Sequence, residues 1–284
     1  MMNFTKQELN LWKLNPLINP KTKRSIKLNG PTFNLLKQQY NNQVNYGYYN
    51  LIMKNEDRFI LKQDKNYIYA GVYDGHGNSN VSTFFSNNFI STFIKSKIKD
   101  IPNKLIKSYI DIDTYLKYKN VSGGSTASTI IFNKNINKFW IANTGDSRII
   151  AMTKSNKIKQ LTRDHKPHLK YELARIHNNN EQISFNGVYR IGSLAVSRVI
   201  GDFNLRKHYK SIIPTPDIFT DNINKYSFFV LASDGLFDVM TNKEIISFIK
   251  KNKNKSFMEI SKNLTYYAKN KGSNDDITVI IISV

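Results

Sequence analysis

Tyr67-Ile68-Tyr69-Ala70-Gly71-Val72-Tyr73-Asp74-Gly75-His76-Gly77 is the stretch on which the fold of this chain turns. Aromatic and β-branched side chains suit a pleated, half-buried surface, and they predict a strand over Tyr67–Tyr73. The Asp-Gly after it ends the strand and leaves a carboxylate at its tip. The pattern recurs: Asp234, in Ser233-Asp234-Gly235, follows the strand-like Tyr226–Ala232, and Asp275-Asp276 precede the strand-like Ile277–Val284. Asn55-Glu56-Asp57 adds an acidic site upstream of the strand-like Phe59–Leu61. Alone, each Asp-Gly reads as a turn. Together they read as carboxylates carried to one place by the strand ends of a single core. Converging carboxylates repel unless cations neutralise them, and all-oxygen donors favour hard octahedral ions, Mg2+ or Mn2+.

Working outward, Ser128–Phe132, Lys138–Ala142 and Ile149–Thr153 are further strand-like runs. Between the strands, Val81, Phe84, Phe85, Phe89 and Phe93 recur at helical spacing, and Thr241-x-x-Glu244 and Ser256-x-x-Glu259 are capping boxes. Strand clusters separated by helical blocks, without strict alternation, predict an α+β fold. With 284 residues, 40% hydrophobic, and only 13 Gly and 7 Pro, the chain can bury a core and is neither disordered nor collagen-like. The absence of Cys excludes disulfides, thiolate zinc sites, a Cys nucleophile and iron–sulfur clusters, and fits a reducing, cytoplasmic compartment. No apolar run approaches the roughly 20 residues of a membrane span, so no membrane partner is expected. Met1–Leu14 mixes polar and apolar residues and Met2 replaces Gly, so neither a signal peptide nor a myristoyl anchor is expected. The 42 Lys+Arg against 21 Asp+Glu give a net charge of +21, but the lysines are scattered rather than clustered. Nucleic acid is therefore not the expected partner, although a positive field draws phosphorylated substrates.

The first forty residues differ from the rest. Trp12, Asn15-Pro16, Asn19-Pro20 and Thr22 read as a string of turns, because each Asn-Pro disfavours helix before it. Gly30-Pro31 then opens a short helix with Phe33, Leu36 and Tyr40 on one stripe. Through Trp12, Asn15-Pro16, Asn19-Pro20, Thr22, Arg24, Ile26, Lys27, Gly30, Thr32 and Leu36 the segment resembles the two-cysteine adaptor motif of large cytoplasmic DNA viruses, without either cysteine. That resemblance implies a viral protein, placed in the host cytoplasm or the virion. We expect residues 1–40 to form an adaptor-like extension and residues 41–284 one domain.

Tyr73-Asp74-Gly75-His76-Gly77, Gly124-Ser125-Thr126-Ala127, Ala142-Asn143-Thr144-Gly145-Asp146-Ser147-Arg148 and Leu161-Thr162-Arg163-Asp164-His165-Lys166-Pro167 resemble, in order, motifs of the protein phosphatase 2C family. So do Leu194-Ala195-Val196-Ser197-Arg198, Gly201-Asp202, Leu231–Val239 and Asp275-Asp276-Ile277-Thr278-Val279. The resemblance implies a four-layer αββα sandwich of two antiparallel sheets with helices outside. It further implies a protein serine/threonine phosphatase acting on phosphorylated proteins with two Mg2+ or Mn2+ ions, and we expect a monomer. By position, Asp74 would bridge the ions, Glu56 and the Gly75 carbonyl would complete one, and Asp234 and Asp275 would hold the other. Asp57 would orient a metal-bound water, Asp146 and Asp238 match a third-metal position, and His76 matches the general acid. Asp146 also reads as a turn or helix-cap residue. His165 is expected in the turn before Pro167, and His168, His177 and His208 on the surface.

Two departures stand out. Ile52 occupies the position of the family's phosphate-gripping Arg, and period-two strand geometry would put Ile52, Lys54 and Glu56 on one face, offering Lys54 as a substitute charge. Asp276 stands where the family usually has Asn, so two adjacent Asp compete for one ligand position, with Asp275 favoured by spacing. The segment Lys166–Ile191 corresponds to the family's flap, whose Asn178-Asn179-Asn180 and basic residues we expect to shape substrate choice. Ile52 also motivates an alternative, a pseudophosphatase that binds but turns over poorly.

Overall fold

The computed structural model describes residues 3–41 and 44–284; Met1, Met2 and the side chain of Tyr40 lie outside the described set. The chain divides into a compact unit up to Asn45 and a larger one, Tyr46–Ser283.

In the larger unit, strand alternation builds the layers. One five-stranded sheet runs, edge to edge, Asp217–Asn222, Lys138–Thr144, Ala127–Asn133, Tyr67–Tyr73 and Arg58–Gln63, antiparallel throughout. The other runs Asn45–Leu51, Ile277–Ser283, Tyr226–Ala232, Arg148–Thr153 and Ile158–Gln160. Successive side chains of a strand face opposite ways. One set meets the other sheet: Phe132 and Phe139 each pack against Phe229 with ring centroids 5.0 Å apart. The other set meets helices. Tyr69, Tyr73, Ile131 and Trp140 pack under Val81, Phe85, Phe89 and Phe93 of helix Asn80–Lys95 and Leu105, Tyr109 and Leu116 of helix Ile101–Tyr118. On the far side Ile150, Val230, Val279 and Ile281 pack under Ile245, Ile249, Ile260 and Leu264 of helices Asn242–Lys251 and Phe257–Asn270. The fold is therefore α+β in four layers, two antiparallel sheets between helices.

Polar groups fasten these layers. The buried Tyr109 hydroxyl bonds the Ala142 carbonyl and Thr129 Oγ1, both at 2.9 Å, tying an outer helix to two strands. Thr241 with Glu244 and Ser256 with Glu259 form complete capping boxes, as their spacing predicts. Three strands of the two sheets have no clear sequence signal, Asn45–Leu51, Ile158–Gln160 and Asp217–Asn222. All are edge strands with mostly exposed or half-buried positions, so they carry little of the apolar patterning that marks a strand.

The smaller unit corrects one expectation. Trp12 is not in a turn but on helix Lys6–Leu14, which Thr5 and Glu8 cap as a box. The Asn-Pro steps act only on the chain beyond that helix. Trp12 and Leu9 pack with Phe4, Phe33 and Leu36, and the indole N–H donates to the Pro16 carbonyl at 2.8 Å. The expected second helix spans Pro31–Asn41, with Phe33 and Leu36 buried. Among the described residues no helix is long and apolar enough to cross a membrane.

Each unit having its own apolar cluster, a chain lacking residues 1–44 should fold. Its thermal transition should stay single and cooperative. An insoluble product, or one lacking near-UV circular dichroism, would contradict self-sufficiency of the larger unit.

Candidate active site

Asp74 follows the Tyr67–Tyr73 strand, Asp146 lies in the turn after Lys138–Thr144, and Asp234 opens the short helix after Tyr226–Ala232. The first two belong to one sheet and the third to the other. Face-to-face packing brings them together, with one carboxylate oxygen of each within 4.8 Å of the others. They line a cleft of about 490 Å³ together with Lys54, Glu56, Gly75, His76, Asp202 and Asp275. Loss of hydration and then the charge of Asp234 push Asp74 well above the ordinary carboxylate range. Loss of hydration and then the charges of Asp146 and Asp238 push Asp234 up to about 8. A cluster this costly to ionise is relieved by positive charge, and its donors are all oxygens. The residues present therefore fit hard divalent cations. One positive group already belongs to the protein: Lys166 Nζ donates to Asp146 Oδ2, an ion pair that the reading of Lys166 as the start of the flap does not anticipate.

The segment carrying Lys54 and Glu56 departs from expectation. The strand ends at Leu51, so Ile52, Lys54 and Glu56 share no strand face; they sit in a loop in which Asn55 adopts φ +64°. Ile52 is 59% exposed. Lys54 Nζ pairs with Asp275 Oδ2 at 2.7 Å, and that bond raises the lysine's pKa. The adjacent acids separate: Asp275 lines the cleft, whereas Asp276 is 2% exposed and turns toward the loop backbone. Burial alone would raise the Asp276 pKa, but backbone N–H donors, with Asp57 first among them, hold it at about 2.

His76 Nε2 lies 2.5 Å from Asp202 Oδ2. No predicted strand precedes Asp202, so the carboxylate-at-strand-tip pattern does not single it out. The available signal is Gly124, where a Cβ would collide with both His76 Nε2 and Asp202 Oδ2. His165 lies in the loop before Pro167 and is fully buried; its Nδ1 accepts the Gly145 N–H at 3.0 Å, and its Nε2 lies 3.3 Å from Asp217 Oδ2. The ring thus braces the backbone beside Asp146. His168, His177 and His208 are exposed, as expected.

Asp57 is 1% exposed, and its Oδ2 accepts from Ser233 Oγ at 2.8 Å and Thr278 Oγ1 at 2.6 Å. Burial raises its pKa to about 7 against those two bonds. Asp57 thus ties the loop to both acidic turns from beneath the cleft. Asp238 stands outside the three-carboxylate group and lines a neighbouring cavity with Arg148 and Thr241. The flap contains helix Lys170–Asn178 and a hairpin of Ser184–Asn186 with Val188–Arg190. It meets the cleft through Arg190, followed by Ser193–Val196; the Asn178-Asn179-Asn180 run does not line it.

The family model for protein phosphatase 2C matches residues 48–277, and that for the 2-cysteine adaptor domain matches residues 10–39. A probable protein phosphatase 2C 7 of Oryza sativa subsp. japonica is 33% identical over 223 residues, which cover 75% of this chain and 56% of the relative. A probable protein phosphatase 2C 2 of Arabidopsis thaliana is 34% identical over 251 residues, 81% of this chain and 63% of the relative. Protein phosphatase 1L of Bos taurus is 30% identical over 250 residues, covering 80% and 68%. The match thus spans well under two thirds of the first of these relatives. Among solved structures, a C. elegans sex determining protein superposes with a TM-score of 0.75 at 21% identity, covering 97% of this chain and 79% of that one. A serine-threonine phosphatase 2C from Toxoplasma gondii superposes with a TM-score of 0.67 at 20% identity, covering 84% and 93%. These two share the fold described above. Strand-tip carboxylates, four layers and a match from residue 48 to 277 lead to one conclusion: the chain belongs to the protein phosphatase 2C family.

Proposed function

We propose that this protein is a Mg2+- or Mn2+-dependent protein serine/threonine phosphatase whose activity resides in Tyr46–Ser283. The observation that carries the reading is the gathering of Asp74, Asp146 and Asp234 in one cleft with His76. Glu56, Asp74 and the Gly75 carbonyl would hold one cation, and Asp74, Asp234 and Asp275 a second. When bound, such cations activate a water nucleophile and neutralise phosphoryl charge. The chain's own residues do the rest. A serine or threonine alkoxide is a poor leaving group, so it needs a proton, and His76 is placed at the cleft to give one. Asp202, bonded to Nε2, fixes the ring's orientation. Lys54, half-exposed at the mouth, supplies a positive point charge toward phosphate while neutralising Asp275. The exposed Ile52 and the engagement of Lys54 by Asp275 favour one second reading, a phosphoprotein-binding protein of weak turnover.

Phosphothreonine-peptide hydrolysis with Mn2+ or Mg2+ should be abolished by chelator and by Asp74→Ala. Full activity in chelator would remove the proposal. His76→Ala should lower kcat by about 10²–10⁴ while leaving Mn2+ affinity unchanged. Asp202→Asn, which loses a charge-assisted bond of about 1.5–3 kcal/mol, should lower kcat roughly tenfold to a hundredfold, with little change in KM. A loss of metal binding in either variant would make the pair structural. Ile52→Arg should raise kcat/KM by about tenfold or more if phosphate gripping limits turnover. No gain would show that another group holds the phosphate.

A further inference from the structure

The loop between Leu51 and Arg58 brings Lys54 and Glu56 to the cleft without strand pairing of its own. Something else must hold it. Consecutive backbone N–H groups from Met53 to Asp57 all point at one carboxylate. Asp276 Oδ1 accepts from Met53 at 2.5 Å, Lys54 at 2.7 Å and Asn55 at 3.2 Å, and Oδ2 from Glu56 at 2.6 Å and Asp57 at 3.0 Å. Neighbouring N–H groups converge in this way where the backbone turns through a left-handed residue, forming an anion-binding nest, and Asn55 at φ +64° supplies that turn. The carboxylate is 2% exposed, so water scarcely competes for these donors. A second bond set braces the same corner: Asp275 Oδ1 accepts the Asp276 N–H at 2.8 Å, and Asp275 Oδ2 accepts from Lys54 Nζ at 2.7 Å. An amide at this position would offer a single acceptor oxygen and would turn its own N–H donors toward those of Glu56 and Asp57.

We propose that Asp276 is a positioning residue, whose carboxylate fills the nest of loop 53–57 and thereby sets Glu56 and Lys54 at the cleft for cation binding. The proposal rests on the reading of Glu56 as a cation ligand. It explains why two acids stand side by side: Asp275 faces the cleft, and Asp276 organises the loop opposite.

The test is Mn2+ binding by electron paramagnetic resonance on the full chain, beside circular dichroism and amide hydrogen exchange. Asp276→Asn and Asp276→Gly should keep the fold and weaken Mn2+ binding by about tenfold to a hundredfold, the range for groups that orient metal ligands. Added formate should restore binding in Asp276→Gly, by refilling the nest, and leave the wild type unchanged. It should not restore Asp276→Asn, whose amide still occupies the space. Wild-type Mn2+ affinity in both variants would overturn the proposal, as would weakened binding in Asp276→Gly that formate does not restore. If the variants fail to fold, wild-type exchange decides: amides 53–57 should exchange as slowly as those of the flanking strands, and loop-like exchange would overturn it. A wild type that folds but binds no Mn2+ would instead remove Glu56 as a ligand, and this inference with it.

Discussion

Carboxylates whose oxygens lie within 4.8 Å of one another cannot all carry charge in a poorly hydrated cleft unless positive charge comes with them. The rest of the site is arranged around that constraint. Asp74 and Asp146 arrive from one sheet and Asp234 from the other, so the cluster exists only while the two sheets face each other through Phe132, Phe139 and Phe229. The aromatic layer and the outer helices supply the burial that offsets the cost of such an arrangement. Lys166 offsets the Asp146 corner and Lys54 the Asp275 corner. What is left uncompensated, at Asp74 and Asp234, is where cations have most to contribute.

The groups beside the cluster are held as closely. His76 and Asp202 meet only because Gly124 leaves room for both. Asp57, Ser233 and Thr278 link the loop, the Asp234 turn and the final strand beneath the cleft. Behind it, Glu172 of the flap helix holds Arg198, Arg198 holds Asp217, and Asp217 faces His165, whose ring receives the Gly145 N–H next to Asp146. The flap is thus bonded through the protein to the backbone of the acidic turn, and not merely laid over it.

Much of this fold is legible in the sequence, and for physical reasons. Tyr67–Tyr73 and Tyr226–Ala232 are central strands whose faces are both covered, so their apolar character is dense and their ends are sharp. Thr241 and Ser256 announce helices because capping is a local interaction over three residues. The Asp-Gly steps place carboxylates at strand tips, which is why Asp74 and Asp234 can be named together. The edge strand Asp217–Asn222 escapes notice, since all its positions are exposed or half-buried and carry no dense apolar run. Pairings across long sequence separations are equally hidden. Nothing local in Gly201-Asp202 points to His76, and nothing in Lys166 points to Asp146. The expectation that Ile52, Lys54 and Glu56 share a strand face fails because Asp276, more than two hundred residues away, converts that segment into a nest.

If these carboxylates form a divalent-cation centre, anomalous diffraction from crystals grown with Mn2+ will reveal it most directly. Two strong peaks are the predicted result, one within coordination distance of the Asp74, Asp234 and Asp275 carboxylates and the other within reach of Asp74 and Glu56. Well-ordered Asp74 and Asp234 side chains without an anomalous peak between them, at Mn2+ concentrations that support hydrolysis, would contradict it.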